Sequence, residues 1–83
     1  MDNTQAELKD AILEIADSFK IKNSYIALIG SSLDLPKIIR MIVYDMFLYD
    51  FNIQTCTDKQ WKACYIIKEY ANELQINGAV NFK

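Results

Sequence analysis

The sequence predicts an all-α fold, a small helical bundle of three long helices plus one short helix. The chain has 83 residues, of which 52% are hydrophobic, with only two Gly and one Pro. This composition excludes a disordered linker and a disulfide scaffold, and it disfavours a many-turned β-barrel. Apolar residues recur at helical spacing in several segments. A chain of this length forms one domain, so we expect a single helical domain over residues 1–83.

The first long helix is predicted from Thr4 to Lys20. Thr4 and Glu7 have the spacing of a capping box, which supplies partners for unpaired amides at a helix start. The apolar residues of one face follow: Leu8, Ile12, Ile15 and Phe19. This spacing is typical of an amphipathic helix.

The sequence pattern from Asn23 to Leu33 fits either a short strand or a short helix. Its apolar run over 25–29 fits either element. A lone strand would have no pairing partner elsewhere in the chain, and its backbone groups would be left unsatisfied. We therefore predict a short helix over 24–30, stopped by Gly30.

The next helix is predicted from Leu35 to Phe51. Asp34 can cap it, and Pro36 is tolerated in the first turn, where its missing N–H is not needed. Its core face is expected to contain Leu35, Ile39, Ile42 and Met46, flanked by Ile38, Val43 and Tyr49.

The last helix follows a second capping box formed by Thr57 and Gln60. Its core face is expected to contain Ala63, Ile67, Tyr70 and Leu74, flanked by Ile66 and Ala71. Asn77 and Gly78 form a stop signal, after which Val80 and Phe82 could pack back onto the bundle.

Catalytic, cofactor-binding and metal-ligating residues are not predicted. The chain contains no His, which is the most frequent general base and metal ligand. Cys56 and Cys64 are too widely spaced for a zinc pair and have no evident base beside them. Gly30 and Gly78 cannot build a phosphate-binding loop. We therefore expect a protein that is not an enzyme and has no cofactor.

The expected location is the cytoplasm. The first residues are acidic and polar, without the basic and apolar run of a secretory signal. The most apolar stretch, 38–51, is interrupted by charges and is too short for a bilayer span, so membrane insertion is not expected. Reduced thiols at Cys56 and Cys64 fit this location.

Three surfaces are candidates for binding. Acidic residues share one arc of the first helix: Glu7, Asp10, Glu14 and Asp17. They form either a solvated face or a face that attracts a basic partner. The other two surfaces are apolar or aromatic.

The helix from Leu35 is apolar on both sides. Met41, Tyr44 and Leu48 form a stripe opposite the core face, and a chain this short has few elements left to cover it. We predict that this stripe is a homodimer or partner interface, although the bundle itself could cover it.

On the last helix, Trp61, Tyr65 and Lys68 lie opposite the core face. Trp and Tyr are enriched at interaction hot spots, so contact with a protein partner is one interpretation. Packing of Trp61 against the 51–56 connection is a second interpretation, and base stacking with nucleic acid is a third.

Together these features predict a non-enzymatic protein-interaction module, a small regulator or inhibitor that docks onto a protein and self-associates. The alternative is a nucleic-acid-binding domain of helix-turn-helix type. The net charge of −2 disfavours it. Twelve Ile, six Asn and eight Lys with a single Arg suit an AT-rich genome. This amino-acid usage resembles that of large lytic phages, and it makes a phage accessory protein, such as a cytoplasmic lysis regulator, a candidate context.

Overall fold

The structure, a computed structural model, describes residues 4–31 and 34–73. Every regular element within these ranges is a helix: α1 (Thr4–Ser18), α2 (Lys22–Ser31), α3 (Leu35–Leu48) and α4 (Asp58–Glu73). The predicted all-α bundle is therefore confirmed for this part of the chain. The segment over 24–30, which fitted either a helix or a strand, lies within α2.

Local hydrogen bonds begin α3 and α4 where the sequence predicts. The Asp34 carboxylate accepts a hydrogen bond from the Lys37 amide at 3.3 Å, and Pro36 lies in the first turn of α3. Before α4, the Gln60 amide donates to Thr57 Oγ1 at 3.2 Å, and the Thr57 amide donates to Gln60 Oε1 at 3.0 Å. These reciprocal bonds confirm the predicted capping box at Thr57.

Helix α1 ends two residues earlier than predicted, at Ser18 and not at Lys20. Lys20 has a φ of 62°, which is the left-handed conformation. The Ile21 amide then donates to the Ala16 carbonyl at 3.0 Å, a bond that closes the helix end. The helix thus terminates without the glycine that usually occupies this position.

Helix α3 ends in the same way, at Leu48 and not at Phe51. Asp50 has a φ of 53°, and the Phe51 amide donates to the Met46 carbonyl at 2.9 Å. Asp tolerates this conformation better than most non-glycine residues. The chain therefore turns away from the α3 axis before the predicted end.

Helix α1 packs most extensively against α4 and also contacts α2 and α3. The inner faces of the helices form one core: Leu8, Ala11, Ile12, Ile15, Ala16, Tyr25, Leu35, Ile38, Ile39, Ile42, Val43, Met46, Ala63, Cys64, Ile67 and Ala71. Tyr49, expected beside the core, is half exposed and stacks on Phe19 at 5.0 Å between ring centroids. Phe51 contacts the same Phe19 ring edge to face. These rings join the ends of α1 and α3.

Some expectations lie outside the described residues. They concern the side chain of Thr4 in the first capping box, the stop at Asn77 and Gly78, and the packing of Leu74, Val80 and Phe82. Over the two described ranges, no helix is both long enough and apolar enough to cross a membrane.

Candidate interaction surfaces

Helix α3 carries large apolar side chains on the side that faces away from the core. Their exposed fractions are 36% for Met41, 65% for Tyr44, 60% for Phe47 and 61% for Leu48. At 100° per residue these four side chains span an arc of about 120° opposite the buried face. We call this set the α3 outer face. Three of its members are residues that the sequence predicts to lie on the stripe, and Phe47 is an addition.

The basic residues of α3 lie at its amino-terminal end, on the same side as the outer face. Lys37 and Arg40 are exposed. They line a shallow hollow of about 290 Å³ together with Met41, Tyr44 and Asp45. The hollow therefore combines an apolar wall with two cations and one carboxylate.

A hydrogen bond joins α2 and α3. The hydroxyl of Tyr25, a residue that is only 2% exposed, donates to the Asp45 carboxylate. Burial, reinforced by the hydrogen bond to Asp45, raises the pKa of Tyr25, so the hydroxyl remains a donor at neutral pH. Asp45 lies between the core face and the outer face of α3. The bond thus helps to hold the outer face in its orientation.

No local pattern in the sequence predicts the hydrogen bond between Tyr25 and Asp45. The two residues are separated by 20 positions and lie on different helices. Within the described ranges, the largest fully buried side chains are Leu and Ile, together with Tyr25 and Cys64. Tyr25 is the one among them that carries a hydroxyl group. A tyrosine in an otherwise aliphatic run was the available signal, because a buried phenol usually requires a partner.

The aromatic residues of α4 form a second exposed surface. The Trp61 and Tyr65 rings stack with centroids 5.6 Å apart and planes 13° from parallel, and each residue is 48% exposed. Trp61 is therefore not enclosed by the 51–56 connection. Lys68 follows one turn later on the same side of α4 and is half buried. We call Trp61 and Tyr65 the α4 aromatic pair.

The acidic residues of α1 have lysines of other helices near them. Glu7, Asp10 and Asp17 are exposed, and Glu14 is half buried. An open groove of about 490 Å³ between α1 and α4 is lined by Glu7, Asp10 and Glu14, by the basic Lys22, Lys59 and Lys62, and by Ala11, Leu13, Ala63 and Ile66. Carboxylates and amines thus share this groove in equal number, which weakens its attraction for a basic partner.

The two cysteines are free thiols in different environments. Cys64 is fully buried, and burial raises its pKa from 9.0 to about 12. Cys56 is partly exposed, and its Sγ donates to the Ile53 carbonyl at 3.1 Å. The buried environment of Cys64 therefore disfavours the thiolate form. In the described residues, no group of three or more His, Cys, Asp or Glu side chains is placed to hold a metal ion.

The described residues thus define a small all-α bundle with one apolar and one aromatic exposed surface. Compared with protein-family models, with curated proteins and with solved structures, the chain shows no match.

Proposed function

We propose that this protein is a non-enzymatic interaction module, a small regulator or inhibitor that acts by docking onto a protein partner. One observation supports the proposal. Large apolar and aromatic side chains remain exposed on the outer sides of α3 and α4, two helices whose inner sides already belong to the core. Aromatic residues and Met are enriched at protein interfaces, and Trp and Tyr are enriched among hot spots.

The α4 aromatic pair is the surface that we assign to the partner. The stacked rings of Trp61 and Tyr65 restrict each other's rotamers before binding, so less side-chain entropy is lost when a partner arrives. Lys62 and Lys68 flank the rings and can provide a polar rim.

A cytoplasmic location is part of the proposal. The free thiols of Cys56 and Cys64 support it, because thiols persist in reducing compartments. The Ile-, Asn- and Lys-rich composition supports a phage accessory protein as the biological context.

Binding to nucleic acid is the competing class. The short helix α2 precedes the longer α3 with three residues between them, an order similar to a helix-turn-helix. However, the exposed side of α3 offers only Lys37 and Arg40 to phosphates, and the remaining large side chains there are apolar. Because phosphate contacts provide much of the affinity for nucleic acid, this arrangement favours docking onto a protein.

Site-specific photo-crosslinking in native host cells tests the proposal. A photoreactive phenylalanine analogue replaces Tyr65 on the α4 aromatic pair, and a matched control replaces the exposed Gln5 on α1. We expect one protein to be captured through position 65 and not through position 5. Adding Trp61→Ala should reduce that capture. Equal capture from both positions, or none from position 65, would contradict the proposal.

A further inference from the structure

We infer that a second copy of the chain covers the α3 outer face. The two α3 helices pack antiparallel about a two-fold axis that passes close to Tyr44. This inference rests on the proposed function, because it names the occupant of one of its two docking surfaces. It leaves the α4 aromatic pair available for the other partner, so the dimer presents that pair twice.

The α3 outer face supplies a large part of the area that a dimer interface needs. If a large side chain offers ~200 Å², the exposed fractions of Met41, Tyr44, Phe47 and Leu48 amount to roughly 450 Å². A stable interface takes about 800 Å² from each partner. The apolar face therefore supplies somewhat more than half of what is needed, and the charged residues at the two ends of α3 can supply the polar rim.

The charges at the ends of α3 select the antiparallel direction. Lys37 and Arg40 lie in the first two turns of α3, whereas Asp50 lies just beyond its carboxyl-terminal end. An antiparallel pair places the basic end of one copy over the acidic end of the other. A parallel pair would place like charges together, which is unfavourable. Antiparallel packing also opposes the two helix dipoles.

The spacing of the side chains sets the register. Met41 and Phe47 lie three residues before and after Tyr44, so a two-fold axis at Tyr44 places Met41 of one copy against Phe47 of the other. Tyr44 then meets its own symmetry mate, and two such rings can stack in the offset arrangement that aromatic pairs prefer. Arg40 and Leu48 lie about 6 Å on either side of the axis, which places them opposite each other.

Sedimentation velocity of the purified full chain tests whether a second copy covers the α3 outer face. From about 1 to 100 µM, we expect the wild type to shift from monomer towards dimer. Tyr44→Asp changes both copies at the axis and should weaken dimerisation at least about 100-fold, since a single hot-spot change typically costs tenfold or more. The control Tyr65→Asp introduces the same charge at another exposed tyrosine and should dimerise like the wild type.

Circular dichroism must show both variants to be helical, which we expect because Tyr44 and Tyr65 are exposed. A wild type that stays monomeric throughout, or a Tyr44→Asp variant that dimerises normally, would overturn the inference. Neither result would affect the proposed function, since crosslinking through position 65 tests a different partner on a different helix.

Disulfide trapping tests the direction of packing. In a Cys56→Ser background, one chain carries Arg40→Cys and a second chain carries Leu48→Cys, two exposed positions of α3. In the antiparallel dimer the two copies of position 40 are about 12 Å apart along the helix, beyond the ~7 Å limit between Cα atoms for a disulfide. We therefore expect the mixed disulfide and little self-linked product. Predominantly self-linked chains, or dimers without any disulfide, would overturn this arrangement.

Discussion

Replacing Tyr25 by Phe tests the bond that orients the outer face of α3. The substitution removes only the phenolic hydroxyl and keeps the ring that fills the core between α2 and α3. The Asp45 carboxylate, which is partly exposed, then loses its donor and must turn to water. The variant therefore isolates one hydrogen bond without opening a cavity.

The expected loss follows from the surroundings of this bond. Hydrogen bonds to charged groups contribute about 1.5–3 kcal/mol to stability. Because Asp45 can regain water contacts, the lower end of this range applies. We therefore expect the free energy of unfolding to fall by about 1.5 kcal/mol. For a domain of this size, that corresponds to a decrease in Tm of roughly 6–12 °C.

Urea denaturation followed by circular dichroism measures this loss. The matched control is Tyr65→Phe, which removes a hydroxyl from an exposed tyrosine and should change stability by less than about 0.5 kcal/mol. A double-mutant cycle with Asp45→Ala separates the bond from the other effects of each substitution. If Tyr25→Phe is as stable as the wild type, or if the cycle shows no coupling, the bond does not help to hold α3 as we describe.

Three further predictions follow from the buried thiol and the exposed aromatic pair. In native protein, alkylation should modify Cys56 well before Cys64, because Cys64 is fully buried and its pKa is raised to about 12; equal rates, read by mass spectrometry, would contradict this. The folded state retains the Cys64 proton that the unfolded state releases, so this stabilisation is complete below about pH 9 and is lost between about pH 9 and 12. Urea midpoints should decline over that range more steeply for the wild type than for Cys64→Ala. Trp61→Ala should destabilise the fold by less than the ~3–5 kcal/mol typical of a core aromatic, since Trp61 is half exposed; a larger loss would identify it as a packing residue.

The helices could be predicted because their apolar residues repeat on one face, but two of their ends could not. Lys20 and Asp50 adopt the left-handed conformation that usually marks a glycine. Lysine does not indicate a helix end, and aspartate indicates one only weakly. The long-range packing of Phe19 against Tyr49 and Phe51 becomes possible once the chain turns there.

The candidate surfaces were predictable to the extent that a single helix defines them. The spacing of Met41, Tyr44 and Leu48 marks the outer side of α3, and the structure leaves these side chains exposed. The lysines opposite the acidic face come from α2 and α4, so no analysis of α1 alone could reveal them. The bond from Tyr25 to Asp45 likewise depends on how two helices pack.

The most direct test of the docking account is an NMR dilution series of the wild-type chain with backbone amides assigned. If a second copy covers α3, raising the concentration should shift the resonances of 37–50 around Tyr44 and leave those of α1 unchanged. Resonances that do not respond to concentration, or shifts centred on α1, would contradict the claim that a second copy binds to the α3 outer face.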